Sequence, residues 1–164
     1  NEVKYGRTQW SFFTSEKPYK TIEWNIRNVE SNKENDCVAI TFAEADDYFG
    51  GTKSYEDYLS ITNYEEGVGA PTTKAGYQKM LSRQFKYTPF DRAFLANPEN
   101  AQEMLSRGYL INTNMPYGRI RHADNLRRLS YYHSGKIVFK YRIGSFRLRS
   151  IDENWWFYLL RELR

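Results

Sequence analysis

An alternation of apolar and basic residues between Gly135 and Gly144 constrains the fold of this chain most strongly. The apolar positions share one face of an extended segment and the basic positions lie between them: Ile137, Phe139, Tyr141 and Ile143 against Lys136, Lys140 and Arg142. Because side chains alternate between the two faces of a strand, this period of two predicts a half-buried β-strand. Gly144 and Ser145 suit a tight turn, and the alternation resumes over residues 145–150, so a β-hairpin is predicted.

Helices are predicted on both sides of this hairpin. Residues 123–134 carry apolar side chains at helical spacing, and Gly135 is placed to end that helix. Asp152 is a suitable N-cap for the apolar run that follows, which predicts a second helix over residues 152–164. Residues 119–164 are therefore predicted to form a basic helix–β-hairpin–helix module.

The remaining sequence predicts two further parts. Residues 1–71 read as a strand-rich part, with strands at 3–12, 21–29 and 38–42, that ends in an acidic, tyrosine-rich segment. Residues 72–118 read as short helices, over about 73–86 and 98–107, with a connector. The predicted fold class is α+β, with N-terminal antiparallel strands, short central helices and the C-terminal module, all in one compact unit.

Positive charge is concentrated near the C-terminus. Residues 1–91 hold 11 Lys and Arg against 14 Asp and Glu, whereas residues 92–164 hold 13 against 6. A surface of this sign attracts an anionic partner, such as an acidic protein, a nucleic acid or a membrane surface. The 28 aromatic residues, namely 14 Tyr, 10 Phe and 4 Trp, provide enough bulk for a packed core. No apolar run is long enough for a transmembrane helix, so no membrane span is predicted.

Basic and aromatic residues interleave through residues 119–149. They form a candidate binding face, consisting of Arg119, Arg121, Arg127, Arg128, Tyr131, Tyr132, Lys136, Lys140, Arg142, Arg147 and Arg149. Such a face can stack bases and pair with phosphates, or it can dock an acidic protein, because Arg and Tyr are enriched at interfaces. The alternative is that the aromatic residues point inward as core while the charged residues are simply solvated.

Few residue patterns typical of enzymes occur in this sequence. The lone Cys37 lies in the apolar run DCVAITF, which predicts a strand with a buried thiol. His122 and His133 share a face if one helix carries both, and with Lys136 they suit a ribonuclease-like acid–base pair. The simpler interpretation is two exposed histidines on a basic helix. The chain is therefore predicted to be non-enzymatic, without a cofactor or a bound metal.

Six short motifs occur in an order that matches one known family. They are Asp47-Tyr48-Phe49-Gly50, Ala75-Gly76-Tyr77-Gln78-Lys79-Met80-Leu81, Lys86-Tyr87, Asp91-Arg92-Ala93, Leu126-Arg127-Arg128-Leu129 and Gly135-Lys136-Ile137-Val138. Together they resemble phycobilisome linker polypeptides of the rod or core type, including the small C-terminal domain of those linkers. The chain departs from that family at residues 1–42, which read as strands where its main domain is helical, and at Ser134, which replaces a glycine.

The resemblance implies a non-enzymatic linker that joins acidic phycobiliproteins at the thylakoid surface of a plastid or cyanobacterium. The charge distribution independently predicts a basic linker or adaptor that binds an acidic protein assembly. The alternative function is a single-stranded nucleic-acid-binding module that uses the same basic and aromatic face. Without the resemblance, the sequence predicts a soluble intracellular protein.

Overall fold

The computed structural model describes residues 16–70 and 73–163 of the chain. The strands predicted at residues 3–12 lie outside the described residues. Four α-helices are present in the described part: α1 (Cys37–Tyr48), α2 (Tyr55–Ile61), α3 (Lys74–Gln84) and α4 (Pro98–Ser106). Eight strands accompany them: β1 (Lys20–Glu23), β2 (Phe85–Phe90), β3 (Leu110–Tyr117), β4 (Ile120–Asn125), β5 (Arg128–Tyr131), β6 (Ile137–Lys140), β7 (Ser145–Arg147) and β8 (Trp156–Glu162).

The strands form two antiparallel sheets of four. The first sheet has the order β1-β5-β6-β7, and the second has the order β2-β8-β3-β4. In the first sheet Leu129 lies opposite both Ile22 and Phe139, and all three side chains are buried. In the second sheet β8 lies between β2 and β3, so its backbone is hydrogen-bonded on both sides. Both sheets are antiparallel and the helices lie outside them, so the architecture is α+β.

Helix α1 is the most deeply buried helix of the described residues. Every residue from Val38 to Ala45 is buried, and the helix contacts β4 and α2. A helix that is buried all round carries no single apolar stripe. The prediction of a strand at residues 38–42 is therefore wrong, because a short apolar run fits a buried helix as well as it fits a strand.

The predicted C-terminal helix–hairpin–helix is wrong in both of its helices. Residues 123–134 form the end of β4 and all of β5, because β5 finds strand partners in β1 and in β6. Residues 156–162 form β8, whose Phe157, Tyr158 and Leu160 are all buried. A strand buried on both faces is apolar at successive positions, and this pattern matches that of a buried helix. The hairpin itself is present as β6 and β7.

Two central helices are present close to their predicted positions. Thr73 accepts a hydrogen bond from the backbone N–H of Gly76 at the start of α3, and Asn97 accepts one from Glu99 at the start of α4. These contacts satisfy donors that the first turn of a helix leaves free. Of the three predicted N-terminal strands, only part of the segment at 21–29 is a strand within the described residues, as β1.

We expect replacement of Leu160 by alanine to lower the free energy of unfolding by about 2–5 kcal/mol, the range typical of a leucine truncated in a core. Leu160 has no exposed surface and lies in the central strand of the second sheet. The matched control is Leu163→Ala, three residues further on and 51% exposed, for which a change within about 0.5 kcal/mol is expected. Urea unfolding of the two variants measures both values, and equal losses would contradict this account of the core.

Candidate active site

Cys37 is the first residue of α1 and is half-buried, not enclosed in the core. The backbone N–H groups of a first helical turn have no partner within the helix. Asp36 stands at the N-cap position, but its side chain makes no capping hydrogen bond. The thiol therefore lies beside N–H groups that its own helix cap leaves uncovered, at the positive end of the helix dipole.

The Asp36 carboxylate is instead held by the loop around it. It accepts hydrogen bonds from Ser31 Oγ at 2.9 Å and from the Tyr55 hydroxyl at 2.7 Å, and the residue is only 5% exposed. Burial, together with the hydrogen bond to Asp36, raises the pKa of Tyr55 to about 12, so the hydroxyl keeps its proton and remains a donor. These contacts fix the backbone that leads into Cys37.

His122 lies on β4 and faces the start of α1. Its Nε2 atom lies 3.3 Å from Asp124 Oδ2, and His122 and Cys37 line the same cavity. Residues two apart on a strand point to the same face, which explains why His122 and Asp124 meet. The imidazole is thus bonded to a carboxylate and lies close enough to Cys37 to be affected by it. Thiol, imidazole and carboxylate are grouped at the start of α1.

The protonated form of His122 is favoured by its surroundings. Burial lowers the pKa of His122, but the hydrogen bond with Asp124 and the proximity of Cys37 outweigh burial and raise the pKa to about 9. At neutral pH the ring is therefore an imidazolium beside a thiol. A thiolate is the reactive form of cysteine, and a neighbouring imidazolium stabilises a thiolate.

Asp124 is fixed more firmly than its partner histidine. Only 2% of the residue is exposed, and it accepts hydrogen bonds from the backbone N–H of Asn125 at 2.9 Å and of Ile143 at 3.2 Å. Arg127 Nη1 donates to Asp124 Oδ1 at 2.9 Å. Four donors around one carboxylate, including His122, fix its position, so that it can in turn orient the imidazole.

Cys37 and His122 line a cleft of about 870 Å³. Residues 65–70 form one wall, and the hairpin end from Tyr117 to His122 forms the other. Val68, Tyr117 and Ile120 line this cleft and are more than half exposed. The cleft therefore joins a polar nucleophile site to walls that offer apolar surface.

Gly69 sets the shape of one cleft wall. Its φ of +95° lies in the region that favours glycine, and a Cβ at this position would lie 2.7 Å from the Asn35 carbonyl oxygen. Asn35 in turn donates a hydrogen bond through Nδ2 to the Gly67 carbonyl. The loop at residues 65–69 is thus held close to the segment that precedes Cys37.

The residues of the predicted binding face do not share one surface. Arg127 and Arg142 point inward to the buried Glu44, and Tyr131 is buried with its hydroxyl bonded to the Leu95 carbonyl. The other members lie in three places. Arg119 and Arg121 line the cleft, and Arg128, Lys140 and Arg147 lie on strands β5 to β7. Tyr132 and Lys136 lie at the β5–β6 turn, and Arg149 lies in the short helix Leu148–Ser150 that follows β7.

Further contacts occupy several of these residues. The Arg121 guanidinium lies 3.8 Å from the ring centre of Trp156, and Lys136 lies 4.1 Å from that of Tyr132. Lys136 also pairs with Glu16 at 3.1 Å. The whole set does not form one face, and binding of an anionic partner by its exposed members stays a prediction.

Sequence reasoning missed Cys37 and Asp124 as site residues. Assigning Cys37 to a strand placed its thiol in the core, whereas the helix places it at an open end. A signal was available, since a single cysteine with a histidine elsewhere in the chain is a known pattern for a nucleophile and its base. The helix face predicted for His122 and His133 is wrong, because His122 lies on β4 and His133 stacks on Tyr19 after β5.

Comparison with known proteins gives a likeness in fold. The chain is similar to the crystal structure of the peptidase domain of Streptococcus ComA, a bifunctional ABC transporter involved in a quorum-sensing pathway. The TM-score is 0.52 at 13% sequence identity, over 85% of this chain and 99% of that one. No family model and no curated protein sequence matches the chain. At this identity the likeness shows a shared fold.

Among residues 16–70 and 73–163, no helix has the length and apolar character needed to cross a membrane.

We expect the fold to lose stability as pH rises through the titration of His122. The pKa of His122 in the folded chain is about 9, above its ordinary 6.5, so the bound proton stabilises the fold fully below pH 6.5. That contribution, on the order of a few kcal/mol, is lost as pH rises towards and through 9. Melting temperatures between pH 6 and 10 measure it. His122→Asn should flatten the fall, whereas the control His133→Asn should retain it, and identical curves for both variants would contradict the assignment.

Proposed function

We propose, against the sequence-based expectation of a non-enzymatic protein, that this chain is a cysteine-nucleophile hydrolase that cleaves amide bonds in peptides. The observation that carries the proposal is the grouping of Cys37, His122 and Asp124: the imidazole is bonded to Asp124 and lines an open cleft together with Cys37. Nucleophile, base and orienting carboxylate in hydrogen-bond succession are the arrangement of covalent acyl-transfer catalysts. The shared fold with a peptidase domain agrees with it, as an analogy of fold.

Each residue has a defined part in the proposed reaction. The Cys37 thiolate attacks the amide carbonyl carbon and forms a C–S bond, while the carbonyl oxygen takes the negative charge. Uncapped N–H groups at the start of α1 can donate to that oxyanion. His122 then gives its proton to the departing amine as the C–N bond breaks, which leaves a thioester. Water attacks the thioester with neutral His122 as general base, and the carboxylic acid and the thiol are released.

The cleft walls indicate the form of the substrate. An extended chain fits a cleft that runs between a loop and a hairpin end, and apolar side chains of the substrate can contact Val68, Tyr117 and Ile120. The walls also carry charges of both signs, including Lys33, Glu65 and Arg119. Peptides with apolar residues on either side of the scissile bond are therefore the first substrates to test.

We expect the Cys37→Ala variant to lose all hydrolysis of such peptides, and His122→Ala to lose about a thousandfold in kcat, because triad members act as a unit. Release of a fluorophore from a peptide library measures the activity, and iodoacetamide reactivity of the single cysteine measures the nucleophile separately. His133→Ala is the control and should keep full activity. Hydrolysis that persists in purified Cys37→Ala would exclude this mechanism.

A second proposal retains the adaptor function for the first sheet. Arg128 lies directly opposite Lys140, and Arg147 opposite Val138, so the three basic side chains point to one face of β5, β6 and β7. Like charges placed opposite each other repel. Glu23 pairs with Arg128 at 3.9 Å, whereas Lys140 and Arg147 have no ion pair within the described residues and can bind an anionic partner. The observation favours binding of an acidic protein, whether or not it belongs to a phycobilisome.

The natural sequence should retain an acidic partner at low salt and release it at high salt, because salt screens the attraction between opposite charges. We expect a Lys140→Glu, Arg147→Glu double variant to lose that partner even at low salt, because it reverses the charges that attract the partner. Affinity capture from a cell extract across a salt series, followed by mass spectrometry, measures the loss. The control is Lys79→Glu, an exposed charge reversal on α3. Recovery of nucleic acid in place of protein would support the alternative function, binding of single-stranded nucleic acid. If no partner is released by salt, the result would contradict both binding functions.

A further inference from the structure

Glu44 is a buried carboxylate on the helix that carries the proposed nucleophile. Its side chain has no exposed surface, and it lies seven residues after Cys37 on α1. Seven residues make about two helical turns, so Glu44 and Cys37 lie along the same face of the helix. A buried charge without a partner is costly, so the groups around Glu44 are bound to it strongly.

Two arginines and one backbone N–H satisfy this carboxylate. Arg127 Nη2 donates to Oε1 at 2.9 Å, Arg142 Nη1 donates to Oε2 at 3.0 Å, and the Val29 N–H donates to Oε2 at 3.0 Å. Both arginines therefore bind the same carboxylate. They come from different segments, because Arg127 links β4 to β5 and Arg142 follows β6.

The two arginines differ in their other contacts, since Arg127 alone also donates to Asn28 Oδ1 and to the Asn125 carbonyl, each at 2.9 Å. Arg127 Nη1 also donates to Asp124 Oδ1 at 2.9 Å, whereas the second contact of Arg142 is the Val29 carbonyl, at 2.6 Å. Arg127 therefore bridges the carboxylate on the helix of Cys37 and the carboxylate beside His122. Its guanidinium is 13% exposed, and its backbone is pinned, since its N–H donates to Lys140 and its carbonyl accepts from Trp24.

We propose that Arg127 is a positioning residue: by bridging Glu44 and Asp124, it holds the His122–Asp124 pair in register with Cys37. The proposal rests on the proposed function for the role of those three residues. The planar fork of a guanidinium can bond two carboxylates in fixed directions, and an ammonium group cannot reproduce that geometry. Apart from this bridge, α1 and β4 are joined by packing and by a hydrogen bond from Asn125 Nδ2 to the Thr41 carbonyl at 2.9 Å, and that hydrogen bond does not involve the carboxylate beside His122.

A purely structural role for Arg127 predicts a different behaviour. If the contacts of Arg127 with Glu44 and Asp124 only stabilise the fold, weakening them would lower the melting temperature and leave the titration of His122 unchanged. If Arg127 acted on His122 through its charge alone, losing that cation would raise the pKa of the imidazole. If it acts by orienting Asp124, losing the oriented carboxylate would lower the pKa. The titration of His122 therefore separates the three roles.

Other charged groups also face His122 and must be held constant. Asp36 and Cys37 face it from the start of α1, Asp124 faces it from its own strand, and Arg142 lines the same small cavity from the loop after β6. The Tyr117 ring lies 6.0 Å from the imidazole, measured between ring centres. The test variant accordingly keeps the positive charge at position 127.

The experiment compares Arg127→Lys with the matched control Arg142→Lys. Both changes keep the charge and weaken a contact to Glu44, and only the first removes the bridge to Asp124. The chain contains two histidines, so a proton NMR titration follows His122 and uses His133 as an internal reference. The rate of iodoacetamide reaction with Cys37 and the melting temperature are measured on the same samples.

We expect Arg127→Lys to lower the pKa of His122 by about one unit and to slow alkylation at pH 7 by roughly tenfold. Arg142→Lys should lower the melting temperature and leave both values within error of the natural chain. Equal titrations in the two variants would overturn the proposal and leave Arg127 a structural residue. Where Arg127→Lys does not fold, Arg127→Gln takes its place, and a rise in the pKa of His122 in that variant would show an effect of charge alone.

The natural chain alone supplies one further test. A pKa near 6.5 for His122 would overturn the proposal, because Asp124 would then not be held against the ring. None of these readouts requires peptide cleavage. A protein that hydrolyses no peptide but shows the expected titrations would refute the proposed function and support the bridge. A protein that cleaves peptides but in which Arg127→Lys leaves the titration of His122 unchanged would support the proposed function and refute the bridge.

Discussion

The buried Glu44 carboxylate is the interaction on which the arrangement of this molecule depends. Within the described residues it receives donors from the segment after β1, from the β4–β5 link and from the loop after β6. Removing one partner of such a group leaves an uncompensated charge in the interior, at a cost of about 3–5 kcal/mol. The central helix can therefore occupy one position relative to the two sheets, whereas apolar packing alone would tolerate small displacements.

This constraint has a functional consequence because of where the helix begins. Cys37 starts α1, and His122 and Asp124 lie on β4, which packs against that helix. Catalytic groups need to be held within a fraction of an ångström, and a helix and a strand joined by directional hydrogen bonds meet that need better than loops do. The polar network behind the cleft is therefore as relevant to the proposed chemistry as the cleft itself.

Local signals in the sequence predicted the elements that local contacts determine. The caps at Thr73 and Asn97 begin α3 and α4, and the glycine turn at Gly144 joins β6 to β7. Pairing with distant strands decided the rest. Residues 128–131 carry apolar spacing that also fits a helix, and they are a strand because residues 20–23 and 137–140 flank them. No window of sequence contains those partners.

The same limit explains why the site was not predicted. The basic residues were interpreted by composition, and alternation placed Lys140 and Arg147 on one face of the hairpin, where the structure has them. Arg128 was predicted on a helix and lies on β5. Arg127 and Arg142 lie outside the strands, and the buried acid that draws them inward is more than 80 positions away in sequence for each. An acid inside an otherwise mostly apolar segment, as Glu44 is within the buried residues 38–45, was the available sign that cations would be found beside it.

The uncapped start of α1 completes this physical argument. An aspartate directly before a helix ordinarily accepts hydrogen bonds from the first-turn N–H groups, which stabilises the helix by about 0.5–2 kcal/mol relative to alanine. Asp36 forgoes that contact and bonds Ser31 and Tyr55 instead. Stability given up at one end of a deeply buried helix is tolerable because packing holds the helix in place. The result is a set of free N–H donors beside a thiol and an imidazolium, and a developing oxyanion is the ligand that such donors bind best.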